Sequence, residues 1–483
     1  MQTLKGLEPE RVFYWFEEIC RIPHGSGNTL AISNFLVDFA KNQNLKYVQD
    51  DLNNVVIFKQ GSEGYENVAP IILQGHMDMV CEKTPDSDHD FMTDPLDLYV
   101  EDGFVRARNT TLGGDDGIYV AMALAILEDE TLQHPPIEAI FTVDEETGLL
   151  GAEGLDCSVL KGHRMINLDS EADGVFWVAS AGGISAHSSI PVKRTEGEGI
   201  RAEIVIDGLK GGHSGAEIDK GRASAVILMG RLLYGLSEKA DFGIIDLYGG
   251  EKENAIPKSC KVNVLITEDT LDEARRYLAG LEKDLRNEYL GTDDNITIGI
   301  NTFDSISADV LHPTSQSKII FFLRNIPWAI QKMSGSVEGL VETSNNLGIV
   351  RLTVDEFTGD SGVRSSVGSA KYDIADRIRH LTEFLGGEYT QDSDYPAWEY
   401  RADSPLRDLA VKVYTELTGE EPLVTAVHAG LECGLFYGKI ADLDCISLGP
   451  NIIDIHTVDE HLDIASTEKT YRLLQNVLRG MKE

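Results

Sequence analysis

The sequence predicts an α/β fold in which one domain is discontinuous and carries an insertion. In segment 1–185, short apolar runs of strand length alternate with helical patterns, which is typical of a mainly parallel sheet covered by helices on both faces. In segment 186–393 the order changes to strand, helix, two strands, helix and strand, as in a ferredoxin-like α+β unit. The α/β pattern returns in segment 394–483. We therefore predict one domain with a mixed, mainly parallel sheet from 1–185 and 394–483, and a two-lobed inserted domain over 186–393.

The first segment begins with two helical patterns, at 8–20 and 28–44, which are apolar at intervals of three and four residues. A third helix is predicted in GGDDGIYVAMALAILED, whose Asp115 and Asp116 stand at the N-terminal end, where the helix dipole suits carboxylates. The predicted strands are VVIF (55–58), PIILQGHMD (70–78), IEAIFTV (137–143), MINLD (165–169) and VFWVAS (175–180).

The insertion and the tail follow the same kind of pattern. The elements predicted for the insertion are strand 201–207, helix 221–238, strands 243–248 and 259–266, helix 270–289, strand 295–301, helices 316–328 and 368–386, and a strand-like run at 347–354. The polar stretch GGEYTQDSDYPAWEY marks the return to the first domain. The tail is predicted to form helix 404–418, strand 444–450 and helix 466–481.

The composition excludes several classes of protein. Of 483 residues, 42% are hydrophobic and 25% are charged, as in ordinary globular proteins. A net charge of −38 repels nucleic acid and anionic membrane surfaces and favours cations. The N-terminus lacks the pattern of a signal peptide, no stretch approaches the ~18 apolar residues of a membrane span, and the six cysteines are scattered. We expect a reduced, cytoplasmic protein that binds neither nucleic acid nor membrane.

His76 and Asp78 are the first candidates for chemistry. They stand two residues apart at the end of a predicted strand, so their side chains face the same side. The imidazole could bind a metal ion while the carboxylate orients the ring. Open α/β proteins place their ligands at the carboxyl ends of strands. The spacing alone is weak, because His461 and Asp463 repeat it, and a solvated strand end is the alternative.

Other predicted elements also end in a histidine or an acid. Glu145 and Glu146 close the IEAIFTV strand, Asp169 ends MINLD, Asp115 begins a helix and His456 follows the last strand. Nitrogen and oxygen donors without a thiolate suit Zn²⁺, Mn²⁺ or Co²⁺. Five ligands that include a central carboxylate suit two ions about 3.5–4 Å apart. The alternative is a set of unrelated, solvated groups on an acidic protein.

The strings LQGHMDMV, TTLGGDDGI, DEETGLLGAEGL, INLDSE, LKGGHSG, NAIP and HAGLECGLF resemble the M20 metallopeptidase family, from one end of the chain to the other. Their order and wording are similar to its aminoacyl-histidine (Xaa-His) dipeptidase branch. The resemblance implies two Zn²⁺ ions per chain, with Co²⁺ or Mn²⁺ as substitutes. It implies that one ion is bound by His76, Asp115 and Asp169, and the other by Asp115, Glu146 and His456.

The resemblance also implies roles for other residues. Glu145 would be the general base, Asp78 the partner of His76, and His213 the residue that stabilises the oxyanion. Asn254 and Arg364 match positions that hold the carboxylate of the substrate, and His428 and Gly430 belong to a loop that lines the substrate site. One departure is Asp116, which stands where relatives usually carry Asn.

The resemblance therefore implies a di-zinc dipeptidase in which a catalytic domain, 1–185 and 394–483, is closed by a lid, 186–393. The substrate would be a small peptide, preferentially Xaa-His and including carnosine-like dipeptides, and the family branch suggests a homodimer through the lid. Alternatives are another M20 hydrolase, such as an N-acyl-amino-acid deacylase or a tripeptidase, and a non-catalytic metal-binding scaffold protein. Glu145 favours an enzyme, because a site that only binds has no need for a base there.

Overall fold

Eleven α-helices and twenty-three β-strands are formed by residues 3–482, the part of the chain that the computed structural model describes. The helices are α1 Glu10–Ile19, α2 Leu30–Asn42, α3 Gly114–Glu128, α4 Leu150–Gly154, α5 Ala225–Ser237, α6 Leu271–Glu288, α7 Pro313–Asn325, α8 Gly368–Phe384, α9 Pro405–Thr418, α10 Glu432–Lys439 and α11 Ile464–Gly480. Within these residues, no helix is both long enough and apolar enough to cross a bilayer. All six cysteines are free thiols.

The chain divides into two compact units. The first comprises Met1–Ser180, Trp398–Ala426 and Leu431–Glu483, and the second comprises Ala181–Ala397 and Val427–Gly430. Each unit has its own hydrophobic core.

The first unit is built on an eight-stranded mixed sheet in the order β1-β2-β6-β3-β7-β21-β8-β20. Its strands and those of a smaller sheet are β1 Lys46–Gln49, β2 Val55–Lys59, β3 Ile71–His76, β4 Leu98–Glu101, β5 Phe104–Ala107, β6 Ile137–Thr142, β7 Arg164–Asn167, β8 Val175–Ser180, β20 Leu423–Val427, β21 Asp444–Ser447, β22 Ile452–Ile453 and β23 His461–Asp463. Strand β21, from the tail, lies between β7 and β8.

The prediction of a mainly parallel sheet needs correction. The central strands β6, β3, β7 and β21 are parallel, whereas β1 with β2, β2 with β6, and β21 with β8 are antiparallel. The connection from β1 to β2 is too short for a crossover, so these two strands must be antiparallel. The mixed α/β character is confirmed, but the parallel part is limited to the centre of the sheet.

Helix α3 is apolar on every face because it is completely enclosed. All of its residues from Gly114 to Leu127 are buried, and it packs against α1 and β3. At its first turn, Asp115 and Asp116 have non-helical backbone angles, and the peptide bond between them is cis. The helix therefore presents two carboxylates at its N-terminal end, as predicted.

The second unit contains a nine-stranded antiparallel sheet in the order β15-β10-β14-β12-β17-β18-β9-β19, with β16 also paired to β17, and a separate two-stranded sheet formed by β11 and β13. The strands of this unit are β9 Gly182–Pro191, β10 Arg194–Asp207, β11 Gly212–His213, β12 Phe242–Gly249, β13 Ala255–Ile256, β14 Cys260–Ile266, β15 Thr297–Leu311, β16 Ala329–Met333, β17 Val341–Leu352, β18 Glu356–Ser365 and β19 Glu388–Tyr395.

The two lobes predicted for the insertion are two halves of the nine-stranded sheet. Strands β12 and β17 pair with each other, and one hydrophobic core contains residues of both halves. The physical reason is that pairing satisfies two strand edges that separate lobes would leave open.

Candidate active site

The carboxyl ends of the three neighbouring strands β6, β3 and β7 bring the predicted metal residues of the first unit together. His76 is the last residue of β3 and pairs with Thr142 at the end of β6, so Glu145 and Glu146 follow just beyond. Gln74 of β3 pairs with Asn167 of β7, and Asp169 follows two residues later. The strand register therefore aligns a histidine and three carboxylates at one edge of the sheet.

Asp115 occupies the centre of this group. Its Oδ1 lies 3.2 Å from His76 Nε2, and its Oδ2 lies 3.2 Å from His456 Nε2. One carboxylate thus presents a separate oxygen to each of two imidazoles. His76 Nε2 is also 3.8 Å from Asp169 Oδ1, and His456 Nε2 is 3.0 Å from Glu146 Oε1. The structure brings together all five residues that the sequence predicted as metal ligands.

These donors satisfy the requirements of divalent metal ions. Asp115, Glu146 and His456 can each offer one ligand atom, with all three atoms within 4.8 Å of one another. Further such groups are His76 with Asp116 and Asp169, His76 with Glu145 and Glu146, and Asp115 with Asp169 and Glu171. Glu146 Oε1 is buried and lies against His456 Nε2 at 3.0 Å. Imidazoles and carboxylates without thiolates suit Zn²⁺.

The electrostatics of the group show how strongly it favours cations. Burial raises the pKa values of Asp116 and Asp169 well above the ordinary value. The facing carboxylates of Asp115 and Glu146 raise the pKa of His456 to about 10. Burial opposes the charged form of His76, but Asp115 and Asp78 still raise its pKa well above the usual value. Several carboxylates thus share a largely buried place, where their negative charges are costly unless protons or a cation balance them.

Asp78 fixes the orientation of His76. The Nδ1 atom of His76 lies 3.0 Å from the backbone oxygen of Asp78 and 3.5 Å from its Oδ1. The carboxylate of Asp78 accepts hydrogen bonds from Ser26 Oγ (2.7 Å) and from the backbone N–H of Glu145 (3.2 Å). With Nδ1 directed at Asp78, His76 presents Nε2 to Asp115 and Asp169, as the predicted pairing requires.

Glu145 lies beside these residues without a direct bond to either histidine within the described residues. One carboxylate oxygen of Glu145 lies within 4.8 Å of a ring nitrogen of His76 and of a carboxylate oxygen of Glu146. Burial raises the pKa of Glu145 to about 8, against the opposing charge of His76. A carboxylate in this position can exchange a proton near neutral pH.

His213 and Asn254 lie in the second unit and are held together by backbone pairing. Strand β11 pairs with β13, which places His213 opposite Ala255, and the carbonyl of Asn254 accepts from Ser214 N at 2.9 Å. His213 Nδ1 accepts hydrogen bonds from the backbone N–H groups of Gly215 (3.2 Å) and Ala216 (2.9 Å). In the neutral ring the proton is therefore on Nε2, which is free to donate.

Arg364 is placed by the strand register. Gly183 of β9 pairs with both Arg364 and Tyr395, and its missing side chain leaves room for the Tyr395 ring. Arg364 Nη1 donates to Tyr395 Oη at 3.2 Å, while its Nε is buried and has no acceptor in the described chain. Gly430 also lies against the Tyr395 ring, where a Cβ would approach it to 2.9 Å. Arg364 thus retains a buried, unused donor.

His428 lies in the same unit, and its Nε2 is 2.7 Å from Ser344 Oγ. Burial and the nearby charge of Arg364 lower its pKa to about 3, so the ring is neutral at physiological pH. Burial lowers the pKa of His213, and the charge of Arg364 lowers it further. His213, Arg364 and His428 are therefore electrostatic neighbours within the second unit.

Sequence reasoning missed several residues that support these groups. Asn346 donates to the backbone oxygens of Glu253 (2.8 Å) and Ala255 (2.9 Å), and so holds the loop of Asn254. Glu432 is buried and accepts from Gln74 (2.5 Å) and Thr142 (2.8 Å), below the strand ends. Glu171 and Tyr395 were also missed. Glu171 lies in the INLDSE string, but single acids and aromatic residues give no periodic signal.

Comparisons with known proteins identify the family of the chain. The sequence profile of Peptidase family M20/M25/M40 matches residues 72–480. The chain belongs to this peptidase family, which confirms the prediction of an M20 peptidase and hence of a hydrolase.

Two relatives match the whole length. The cytosol non-specific dipeptidase of Escherichia coli (strain K12) is 34% identical over 486 residues, which cover 99% of each chain. The crystal structure of aminoacylhistidine dipeptidase from Vibrio alginolyticus superimposes with a TM-score of 0.94 at 33% identity, covering 99% of this chain and 98% of that one. Aminopeptidase PepT from Bacillus cereus shares the fold, with a TM-score of 0.57 at 16% identity.

Proposed function

We propose that the chain is a di-zinc dipeptidase that hydrolyses dipeptides, preferentially Xaa-His and including carnosine-like ones. The observation that carries this proposal is the position of Asp115, whose two oxygens each face a different imidazole at 3.2 Å. Such a carboxylate suits a bridge between two ions. The names of the two full-length relatives, a non-specific dipeptidase and an aminoacylhistidine dipeptidase, support a dipeptide substrate.

We assign the metal residues as the family resemblance implies. His76, Asp115 and Asp169 would hold one ion, and Asp115, Glu146 and His456 the other, with Co²⁺ or Mn²⁺ as substitutes. Bound there, two divalent ions supply a water molecule of lowered pKa and polarise the peptide carbonyl. The buried Glu146 Oε1, which faces His456 Nε2 at 3.0 Å, supports this assignment.

Glu145 would move the proton. The backbone N–H of Glu145 donates a hydrogen bond to the carboxylate of Asp78, which also orients His76. Asp78 would therefore position both the base and a metal ligand. The Glu145 carboxylate would take the proton of the attacking water and deliver it to the departing amine, as a general base and then a general acid. Its position beside the proposed ligands, just beyond the carboxyl end of strand β6, supports this role.

His213 would stabilise the developing oxyanion. Two backbone amides bond its Nδ1, so the neutral imidazole offers the Nε2 proton as a hydrogen-bond donor. A fixed donor of this kind is most effective where negative charge develops in the transition state.

Arg364 and Asn254 would bind the carboxylate of the substrate, with His428 and Gly430 lining the site. The buried Nε of Arg364 has no hydrogen-bond acceptor among residues 3–482. This unused donor supports a role of Arg364 in binding the carboxylate of the substrate. A guanidinium binds a carboxylate with two parallel hydrogen bonds, and this selects substrates by their C-terminus.

We further propose that segment 186–393 closes as a lid over a catalytic domain formed by 1–185 and 394–483, and that the protein is a cytosolic homodimer joined through the lid. The cytosolic name of the Escherichia coli relative supports the location. The oxyanion histidine would then act in its own or in the partner's site.

The test is hydrolysis of Gly-His, β-Ala-His, Ala-Leu, an N-acetyl amino acid and a tripeptide, with metal content measured on the same sample. We expect the Xaa-His dipeptides to be cleaved fastest by protein that holds about two zinc ions per chain. Cleavage of only the acylated substrate would identify a deacylase, and cleavage of only the tripeptide a tripeptidase. Bound metal without any turnover would identify a binding protein.

A further inference from the structure

Glu460 makes an unusual set of hydrogen bonds for a single carboxylate. The side chain is buried, and its two oxygens accept from four consecutive backbone N–H groups. Oε2 accepts from Leu112 (2.8 Å) and Gly113 (3.1 Å), and Oε1 accepts from Gly114 (2.8 Å) and Asp115 (3.4 Å). The carboxylate therefore fixes the backbone of a whole loop.

The loop bound by Glu460 comprises residues 112–115. It precedes the regular part of α3, where amide groups have no partner within the helix. Gly113 takes a left-handed backbone angle, φ +68°. Two consecutive glycines allow the backbone many conformations, and the hydrogen bonds to Glu460 restrict it to one of them. Asp115 is the last of the residues whose N–H donates to Glu460. The Glu460 carboxylate therefore fixes the position of the Asp115 backbone, from which the side chain extends.

Glu460 also belongs to the loop that carries His456. Its own N–H donates to Thr457 O at 3.2 Å, and the next residue, His461, begins β23, which pairs with β5. The Glu460 side chain thus connects the backbone on which His456 stands to the backbone on which Asp115 stands. These two residues face each other through Oδ2 and Nε2 at 3.2 Å.

We infer that Glu460 is a positioning residue of the metal centre: it holds Asp115 at the distance from His76 and His456 that two ions require. This inference rests on the proposed metal centre. Outer partners that orient ligands typically change metal affinity by about 10- to 100-fold when they are mutated. Glu460 differs from an ordinary outer partner because it holds the backbone of its ligand instead of the side chain.

The test uses Glu460→Gln, which keeps the volume but places an amide N–H₂ against two backbone donors. Zn²⁺ is titrated into metal-free protein by calorimetry with a competing chelator. We expect Zn²⁺ affinity to fall by about ten-fold or more. Unchanged affinity in this variant, beside normal binding by the wild type, would overturn the inference. A wild type that binds no Zn²⁺ would instead contradict the proposed function.

Glu138 provides a matched control. It is a buried carboxylate near the start of β6 and also accepts from backbone amides, those of Lys161 (2.9 and 3.1 Å) and Gly162 (3.0 Å). It lies at the opposite end of the strand from Glu145. Glu138→Gln should cost a similar amount of stability and leave Zn²⁺ affinity unchanged. An equal loss of affinity in both variants would show that general destabilisation, and not positioning, is the cause.

Glu460→Asp gives a second readout if the Gln variant does not fold. Aspartate keeps the charge but is one methylene shorter, so it cannot reach all four donors from the same backbone. In metal-free protein we expect the amides of residues 112–115 to exchange hydrogen about ten-fold faster than in the wild type, while those of 161 and 162 do not change. Unchanged exchange at 112–115 would overturn the inference without any reference to metal.

Discussion

At the scale of single residues, the site depends on which atom of each side chain is already engaged. His76 uses Nδ1 toward Asp78 and presents Nε2 to the carboxylates, whereas His213 uses Nδ1 toward two amides and keeps Nε2 as a donor. In the proposed function, the same residue type would thus serve as a metal ligand in one unit and as a hydrogen-bond donor in the other. The local backbone decides between the two roles.

Glu145→Gln should separate catalysis from metal binding. The variant keeps the shape of the side chain but cannot accept a proton, so we expect kcat to fall by about 10²- to 10⁴-fold while zinc content and KM change little. The measurement is steady-state hydrolysis of Gly-His together with metal analysis. Glu63→Gln, at an exposed position, is the control. Normal turnover by the Glu145 variant would refute its assignment as the base.

The proposed ligand residues could be found as candidates because each stands at or just beyond the end of a predicted strand or helix, where position adds information to residue type. Glu460 could not be predicted in this way. It is one of 80 acidic residues, and its partners are backbone amides that lie 345 to 348 positions away. Tyr395 was missed for a similar reason, because its contact with Arg364 depends on strand register across β9.

At the scale of elements, the strongest buried patterns were predicted best. Helix α3 and strands β3 and β6 lie close to their predicted positions, because continuous burial gives an unmistakable apolar run. The hairpin β4–β5 was not predicted, although its turn contains Asp102-Gly103, both with positive φ, which is a strong hairpin signal. Its flanking strands are short and partly exposed, so their hydrophobic pattern is weak.

Gly75 sets the close approach of β3 and α3. A Cβ there would overlap the Tyr119 ring, which is held by bonds from its hydroxyl to Leu73 O (2.9 Å) and Ile140 O (2.6 Å). We expect Gly75→Ala to destabilise the protein by about 1–3 kcal/mol, since an overpacked core must shift. Thermal unfolding measures the change. Gly280→Ala, in helix α6 with open space around it, should be neutral or stabilise by up to about 1 kcal/mol. Equal effects of the two substitutions would contradict the packing argument.

His187 on β9 links two neighbouring strands of the second unit. Its Nδ1 lies 2.9 Å from Asp360 of β18 and its Nε2 lies 3.3 Å from Asp392 of β19. Burial opposes the charged ring, but these carboxylates, with Glu253 nearby, raise its pKa above the ordinary value.

A raised pKa in the folded state means that the stabilisation by His187 is complete below the unfolded pKa of about 6.5 and is lost as the pH rises through the folded value. His187→Gln should therefore lower stability at pH 5.5 by up to about 1 kcal/mol and have little effect at pH 9. Urea unfolding at the two pH values tests this expectation. A larger loss at pH 9 would show that the ion pairs are not responsible.

At the scale of the whole molecule, the two units have separate hydrophobic cores, and all the proposed metal ligands belong to the first. A ligand that binds only the folded state stabilises it by about 4 kcal/mol at 1,000 times its dissociation constant. Chelation should therefore lower the unfolding transition of the first unit and leave that of the second in place. Calorimetry with EDTA, followed by Zn²⁺ addition, tests this. A shift of both transitions by the same amount would contradict independent metal linkage.

Whole-molecule composition predicted less than local position did. The charge of −38 excluded classes of partner, but it did not distinguish the acids that gather around His76 from those that face solvent. That distinction requires the parallel register of β6, β3 and β7, which aligns residues 76, 144–146 and 169.

The position of β21 has a consequence for synthesis on the ribosome. Strands β7 and β8 follow each other in the chain, yet β21 lies between them and contains residues 444–447. Strand β20 (423–427), the other neighbour of β8, also comes from the tail. The nascent chain therefore carries one unpaired edge on β7 and two on β8 until its tail emerges, which takes roughly 15–50 s at about 5–20 residues per second. During this interval we expect the incomplete sheet to bind chaperones, because unpaired strand edges favour aggregation. A message truncated before codon 444 would yield a product destined for proteolysis.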